Sequence, residues 1–197
     1  MNTQFKEILG SEIAAVGTIM SAIGNTPSIS IPSDLQNSLD LWGNVLQAAG
    51  NALQADGQEE ISLEKIGNEV QSIGNITVIA GTVIDFEKES QQKLVISGNL
   101  LQALGGLVSM ADEIGDDDSS AGRSYSIIGN LLQSIGNSMQ AIGGGYELKE
   151  NYSRYIDRYQ DKNGQVLITN GSWIQAIGSV LSVIGQIKEE SQETNDI

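Results

Sequence analysis

Residues 127–145 read IIGNLLQSIGNSMQAIGGG and place Gly129, Gly136 and Gly143 seven apart inside a run with helical apolar spacing. Glycine in a helix interior costs ~1 kcal/mol relative to alanine. A helix that repeats it on one phase therefore needs a compensating interaction. The same spacing recurs along the chain: Gly10/17/24, Gly43/50/57, Gly67/74/81, Gly98/105, Gly122/129/136/143 and Gly171/178/185. These ladders hold 18 of the 23 glycines, too many for chance composition.

The unit approximates Gly-Asn-apolar-Leu-Gln-Ala-Ile, as in GNVLQAA from Gly43, GNEVQSI from Gly67, GNLLQAL from Gly98 and GSWIQAI from Gly171. On a helical wheel the third, fourth and seventh positions cluster into an apolar face. Glycine sits on one shoulder of that face, alanine or serine on the other, and Asn and Gln fill the remaining arc. Removing a side chain lets two backbones approach, as small-xxx-small contacts do between membrane helices. The ladder is thus read as a helix–helix contact, with Gly17, Gly50, Gly74, Gly105, Gly136 and Gly178 as packing positions. The apolar stripe is expected in the core and the Asn/Gln arc outside.

That arc is unusually neutral. Surface helices carry Lys, Glu and Arg opposite the core, yet 13–33, 124–146 and 165–187 contain no charge. Such helices can pack on both sides or against copies of themselves. The expected fold is all-α, a bundle or stacked array of about six repeat helices within one domain, 1–197. Approximate spans are 3–24, 34–56, 61–87, 92–113, 122–144 and 171–190. Ser33 and Gln36 fit a capping box opening the second helix.

A non-repeat insertion is expected over about 146–170, with an amphipathic helix at 146–161. Its Tyr152, Tyr155 and Tyr159 form a candidate interaction surface, with covering of the repeat-helix ends as the plainer role. A hairpin across Asn163-Gly164, with QVLIT as its second strand, is the competing reading. The acidic tail 188–197 is expected to be mobile.

The composition excludes several functions. Cys and His are absent, so no disulfide, thiolate or imidazole metal site exists. Asp116, Asp117 and Asp118 lack the alternating ligands of an EF-hand loop and read as a solvated acidic loop. Glu59, Glu60, Glu189, Glu190 and Glu193 read likewise as solvated charges. GGGYE at Gly143 follows a helix instead of opening one, which removes the phosphate-loop reading. No catalytic, cofactor-binding or metal-ligating residue is assigned, and no cofactor is expected. The net charge of −15 repels nucleic acid.

The recurring IGN and GNLLQ units resemble uncharacterised repetitive proteins of bacilli, a resemblance that implies no activity. Tyr146 and Glu150 resemble the Tyr-x-x-x-Asp/Glu export signal of type VII secretion substrates. The Trp-x-Gly turn of the small substrates is not reproduced, since Gly43 directly follows Trp42. No secretory signal peptide is evident in MNTQFKEILGSE. The expectation is a cytoplasmic, non-enzymatic structural or interaction protein, binding itself or another protein. The alternative is a soluble helical protein that inserts conditionally into membranes, exported without a classical signal peptide. Its motivation is uncharged small-xxx-small blocks near the ~20 residues a bilayer span needs.

Overall fold

The computed structural model describes residues 3–115, 121–153 and 163–195, and they form six α-helices. These are α1 (Thr3–Gly24), α2 (Ser33–Gly57), α3 (Leu63–Val83), α4 (Lys88–Gly115), α5 (Ala121–Ser153) and α6 (Asn163–Asn195). Among the described residues each helix touches only its two sequence neighbours, and α6 returns to α1. The result is a closed up-and-down ring around a central axis.

The glycine seams explain the pairing. They join α1 to α2, α3 to α4 and α5 to α6, so the ring is three tight helical hairpins. A Cβ on Gly17 would lie 2.6 Å from the Gly43 carbonyl oxygen, and one on Gly43 would lie 2.6 Å from the Gly17 oxygen. The same reciprocal approach joins Gly50 with Gly10, Gly74 with Gly98, Gly105 with Gly67, Gly136 with Gly171 and Gly178 with Gly129, all at 2.5–2.7 Å. No real Cβ fits at that distance, so only glycine permits these seams. Backbone oxygens set against glycine Cα atoms suit Cα–H···O contacts of about 0.5–1 kcal/mol each. That is the size of the propensity deficit a helical glycine carries.

Between hairpins the spacers are small hydroxyl residues. Ser72 donates to the Ala48 carbonyl at 2.9 Å, joining α2 and α3. Gly106 of α4 faces Ser134 of α5. Thr18 and Ser179 hydrogen-bond at 2.5 Å, and Trp173 Nε1 donates to Thr26 Oγ1 at 2.9 Å, closing α6 onto α1.

The orientation of the helices reverses the sequence expectation. Among the described residues the buried apolar ones are eight alanines and Val78, whereas 22 Asn, Gln, Ser and Thr residues are buried. Asn75 is fully buried. The large side chains of the repeat point outward: Val16, Ile19, Trp42, Ile73, Ile76, Leu100, Leu104, Ile128, Ile135, Ile177 and Val180 are all exposed. The physical reason lies in the seams. Backbones this close draw the glycine side of each helix inward, together with the adjacent Asn and Gln positions, and turn the Ile/Leu face out.

Three local expectations are also corrected. Residues 165–169, read as a strand alternative, are helical within α6. Among the described residues there is no separate seventh helix: 146–153 continues α5 and 163–170 opens α6. The tail continues α6 through Asn195. Ser33 forms no capping box, because Pro32 precedes the helix with no side-chain cap. Gln36 donates instead to the Thr26 and Ile29 carbonyls of the preceding loop. The capping that does occur is at α3, where Ser62 Oγ accepts from Lys65 N at 2.9 Å.

Candidate functional site

Two cavities lie on the axis, each of about 280 Å³ and each lined by all six helices. Between them the repeat's glutamines meet. Gln175 Nε2 of α6 donates to Gln47 Oε1 of α2 at 2.8 Å and to Gln102 Oε1 of α4 at 3.3 Å. Gln140 Nε2 of α5 donates to Gln175 Oε1 at 2.9 Å. The bonds from Gln175 to Gln47 and Gln102 cross the axis between helices whose backbones do not meet, and the four glutamines together form its constriction. All four glutamines follow a ladder glycine by four residues, so one helical turn sets each of them beside a seam and facing inward.

The first cavity is lined mainly by amides, including Asn44, Asn99 and Gln165, with Asp40 at its side. Asp40 Oδ1 accepts from Asn25 at 2.9 Å and from Asn44 at 3.3 Å. The second cavity is acidic. Glu7 of α1, Glu64 of α3, Glu113 of α4 and Glu189 of α6 converge on it. Burial, followed by the nearby charges of Glu113, Glu7, Asp112 and Glu189, pushes the Glu64 carboxyl up to about 8. Glu189, read from sequence as a solvated tail charge, belongs to this lining.

Several buried amide atoms have no protein partner: Asn68 Nδ2, Asn75 Oδ1, Gln102 Nε2 and Asn137 Nδ2. In a dry interior each would cost about 1–3 kcal/mol.

The outer surface has its own order. Uncharged segments run over 13–24, 41–55, 70–84, 94–111, 124–146 and 165–187. The longest rises about 34 Å at ~1.5 Å per residue. Three helices are long and apolar enough to cross a bilayer: Thr3–Gly24, Lys88–Gly115 and the 163–189 part of α6. The belt is shorter on the α1 and α3 side, where Glu12 and Glu69 are exposed. The described aromatic side chains are all exposed: Phe5, Trp42, Phe86, Tyr125, Tyr146 and Trp173. Phe5 and Tyr125 lie near the acidic end. Trp42 sits two residues from Asp40, Phe86 is in the α3–α4 loop, and Trp173 bonds Thr26 just beyond α1, all toward the other end. Lys188 stacks its ammonium 5.5 Å from the Tyr125 ring.

Residues 5–183 match a family of unknown function, DUF6944. The chain belongs to that family. No curated protein and no solved structure matches this DUF6944 member.

The sequence-chosen glycines of this DUF6944 chain lie in the seams that frame the axis. Tyr152 is in the last turn of α5, while Tyr155 and Tyr159 fall outside the described residues, as do Asp116, Asp117 and Asp118. The sequence reading missed Gln47, Gln102, Gln140, Gln175 and the four converging glutamates. The signal for the glutamines was present in the uncharged polar arc. The glutamates lie near helix ends, where sequence spacing carries no information about convergence.

Proposed function

We propose that this DUF6944 protein works in a lipid bilayer, as a six-helix barrel whose polar interior gives water and small hydrophilic solutes a path. The carrying observation is the inverted burial: amides and hydroxyls line the axis while Ile, Leu, Val and Trp face outward on all six helices. In water that arrangement forfeits the hydrophobic driving force, at ~25 cal/mol per Å² of apolar surface left exposed. In hydrocarbon it satisfies the rule that polar groups turn inward and every backbone group pairs within its helix. The belt encircles the molecule, which suits lipid better than one docked partner. Exposed aromatics near both ends match the interfacial preference of Trp and Tyr.

The test uses the two tryptophans, Trp42 and Trp173. The protein is reconstituted into liposomes whose acyl chains carry bromine, which quenches indole emission on contact. Strong quenching and faster osmotic swelling with urea than in empty liposomes support the reading. Unquenched tryptophans, with the protein left in the aqueous phase as a self-associated species, would overturn it. The apolar belt would then be covered by copies of the chain.

A further inference from the structure

We propose that the amide-lined cavity binds a neutral polyhydroxylated solute the size of a single sugar ring, which makes small polyols the class that the axial path takes. The cavity, at about 280 Å³, matches the liquid share of roughly nine waters at ~30 Å³ each. Its lining has two characters. Asn44, Asn99 and Gln102 bring amides, while Val95, Ile96 and Ile168 bring aliphatic surface. A polyol suits both, since its hydroxyls bond amides and its C–H faces lie on aliphatic side chains. Water suits the amides alone.

An unpartnered atom points to the ligand. Gln102 lines this cavity, is only 2% exposed, and its Nε2 has no partner in the protein. Gln175 donates to Gln102 Oε1, which sets the orientation of that amide and leaves its nitrogen as a donor in need of an acceptor. An anion would supply one but would meet the Asp40 and Glu147 carboxylates, with no lysine or arginine in the described lining. A cation would suit those carboxylates but carries only donors, so Gln102 Nε2 stays unsatisfied. A hydroxyl both accepts and donates. One hydroxyl of a polyol takes the Gln102 N–H while another donates to Asp40, whose Oδ1 already accepts from Asn25 and Asn44.

This inference names the solute of the path proposed above and rests on that reading, but its test reads binding without flux, so the two fail separately. Saturation-transfer difference NMR is run on the full chain in deuterated dodecylphosphocholine, a detergent with no sugar headgroup. The probe is glucose, with glucuronate and glucosamine as its anionic and cationic counterparts, at about pH 7, where the amine is mostly protonated. Glucose should give a saturable signal, and both charged sugars should bind about tenfold or more weakly. Gln102→Leu and Asn99→Leu should each weaken glucose about fivefold, the loss of one hydrogen bond. The same change at Asn130, which lines the other cavity, should leave glucose binding unaltered. Circular dichroism checks that each variant stays helical. If Gln102→Leu unfolds, Asn99→Leu decides, and the charge series on the wild-type chain stands without either. No saturable glucose signal, or a charged sugar binding as tightly as glucose, would overturn the proposal. So would unchanged glucose binding in a helical Gln102→Leu variant, or equal loss in Asn130→Leu. Urea-driven swelling without glucose binding would sink this inference and leave the path standing, whereas glucose binding by a chain that stays out of liposomes would do the reverse.

Discussion

Gly136 and Gly171 face each other so closely that a Cβ on Gly136 would lie 2.5 Å from the Gly171 carbonyl oxygen, and one on Gly171 would lie 2.6 Å from the Gly136 oxygen. The reciprocal geometry makes a sharp test. Gly136→Ala should destabilise by about 1–3 kcal/mol, as overpacking does, and Gly136→Leu by more. Gly145, also within α5, has nothing within 4 Å of an added Cβ. Gly145→Ala should therefore stabilise by ~0.5–1 kcal/mol through helix propensity. Denaturant midpoints in detergent check the contrast. A rise for both alanine variants would remove the close-packing account.

Gln175 holds the constriction by bonds to Gln47, Gln102 and Gln140. Gln175→Ala should widen the axis and strand its partners, at about 1–3 kcal/mol. Urea-driven liposome swelling should become faster despite the lower stability. Gln175→Leu should plug the same place and slow it. Equal rates in both variants would show that solute does not pass this point.

The apolar belt predicts opposite outcomes for one substitution in the two solvents. Leu104 is exposed on α4. If it faces lipid, Leu104→Glu should weaken membrane partition, since a carboxylate at bilayer depth costs on the order of 2.5–3.5 kcal/mol. Flotation with liposomes measures this. An exposed leucine in water would instead accept glutamate freely, with unchanged flotation and better solubility.

Glu64 makes stability depend on pH. Its carboxyl titrates near 4.5 in the unfolded chain and is pushed up to about 8 in the fold, so folding takes up a proton between those values. The folded state then binds more protons than the unfolded state, and stability falls as pH rises through that window. Glu64→Gln should flatten the slope between pH 4.5 and 8. Denaturant midpoints across that range provide the check.

Ser62 caps α3 by accepting from the Lys65 amide. Ser62→Ala should cost about 0.5–2 kcal/mol. Ser33→Ala should change stability far less, because no side-chain cap forms at the start of α2. Comparable losses at both positions would contradict the cap assignment.

Much of this architecture is legible in the chain itself. The seven-residue spacing of Gly17, Gly136 and their counterparts marks helices and gives each a side that lacks side chains. Pro32, Asp85 and Phe86 fall in breaks between helices. The neutrality of the Asn/Gln arc also carried information. A face turned to water tolerates Lys and Glu, whereas 124–146 and 165–187 admit none. That was a sign of an interior face, although the apolar stripe beside it suggested the opposite.

Local sequence determined the helices and their glycine seams, because period and propensity act within one helix and its neighbour. Only the tertiary structure decided which face turns inward. A helical wheel offers two faces and does not state what lies outside the molecule. Ring closure supplies the missing condition: three glycine hairpins, joined through Ser72, Ser134 and the Thr18–Ser179 pair, enclose an axis toward which Gln47, Gln102, Gln140 and Gln175 converge. The meeting of Glu7, Glu64, Glu113 and Glu189 was likewise set by closure, since it depends on how four helix ends from distant parts of the chain are brought around that axis.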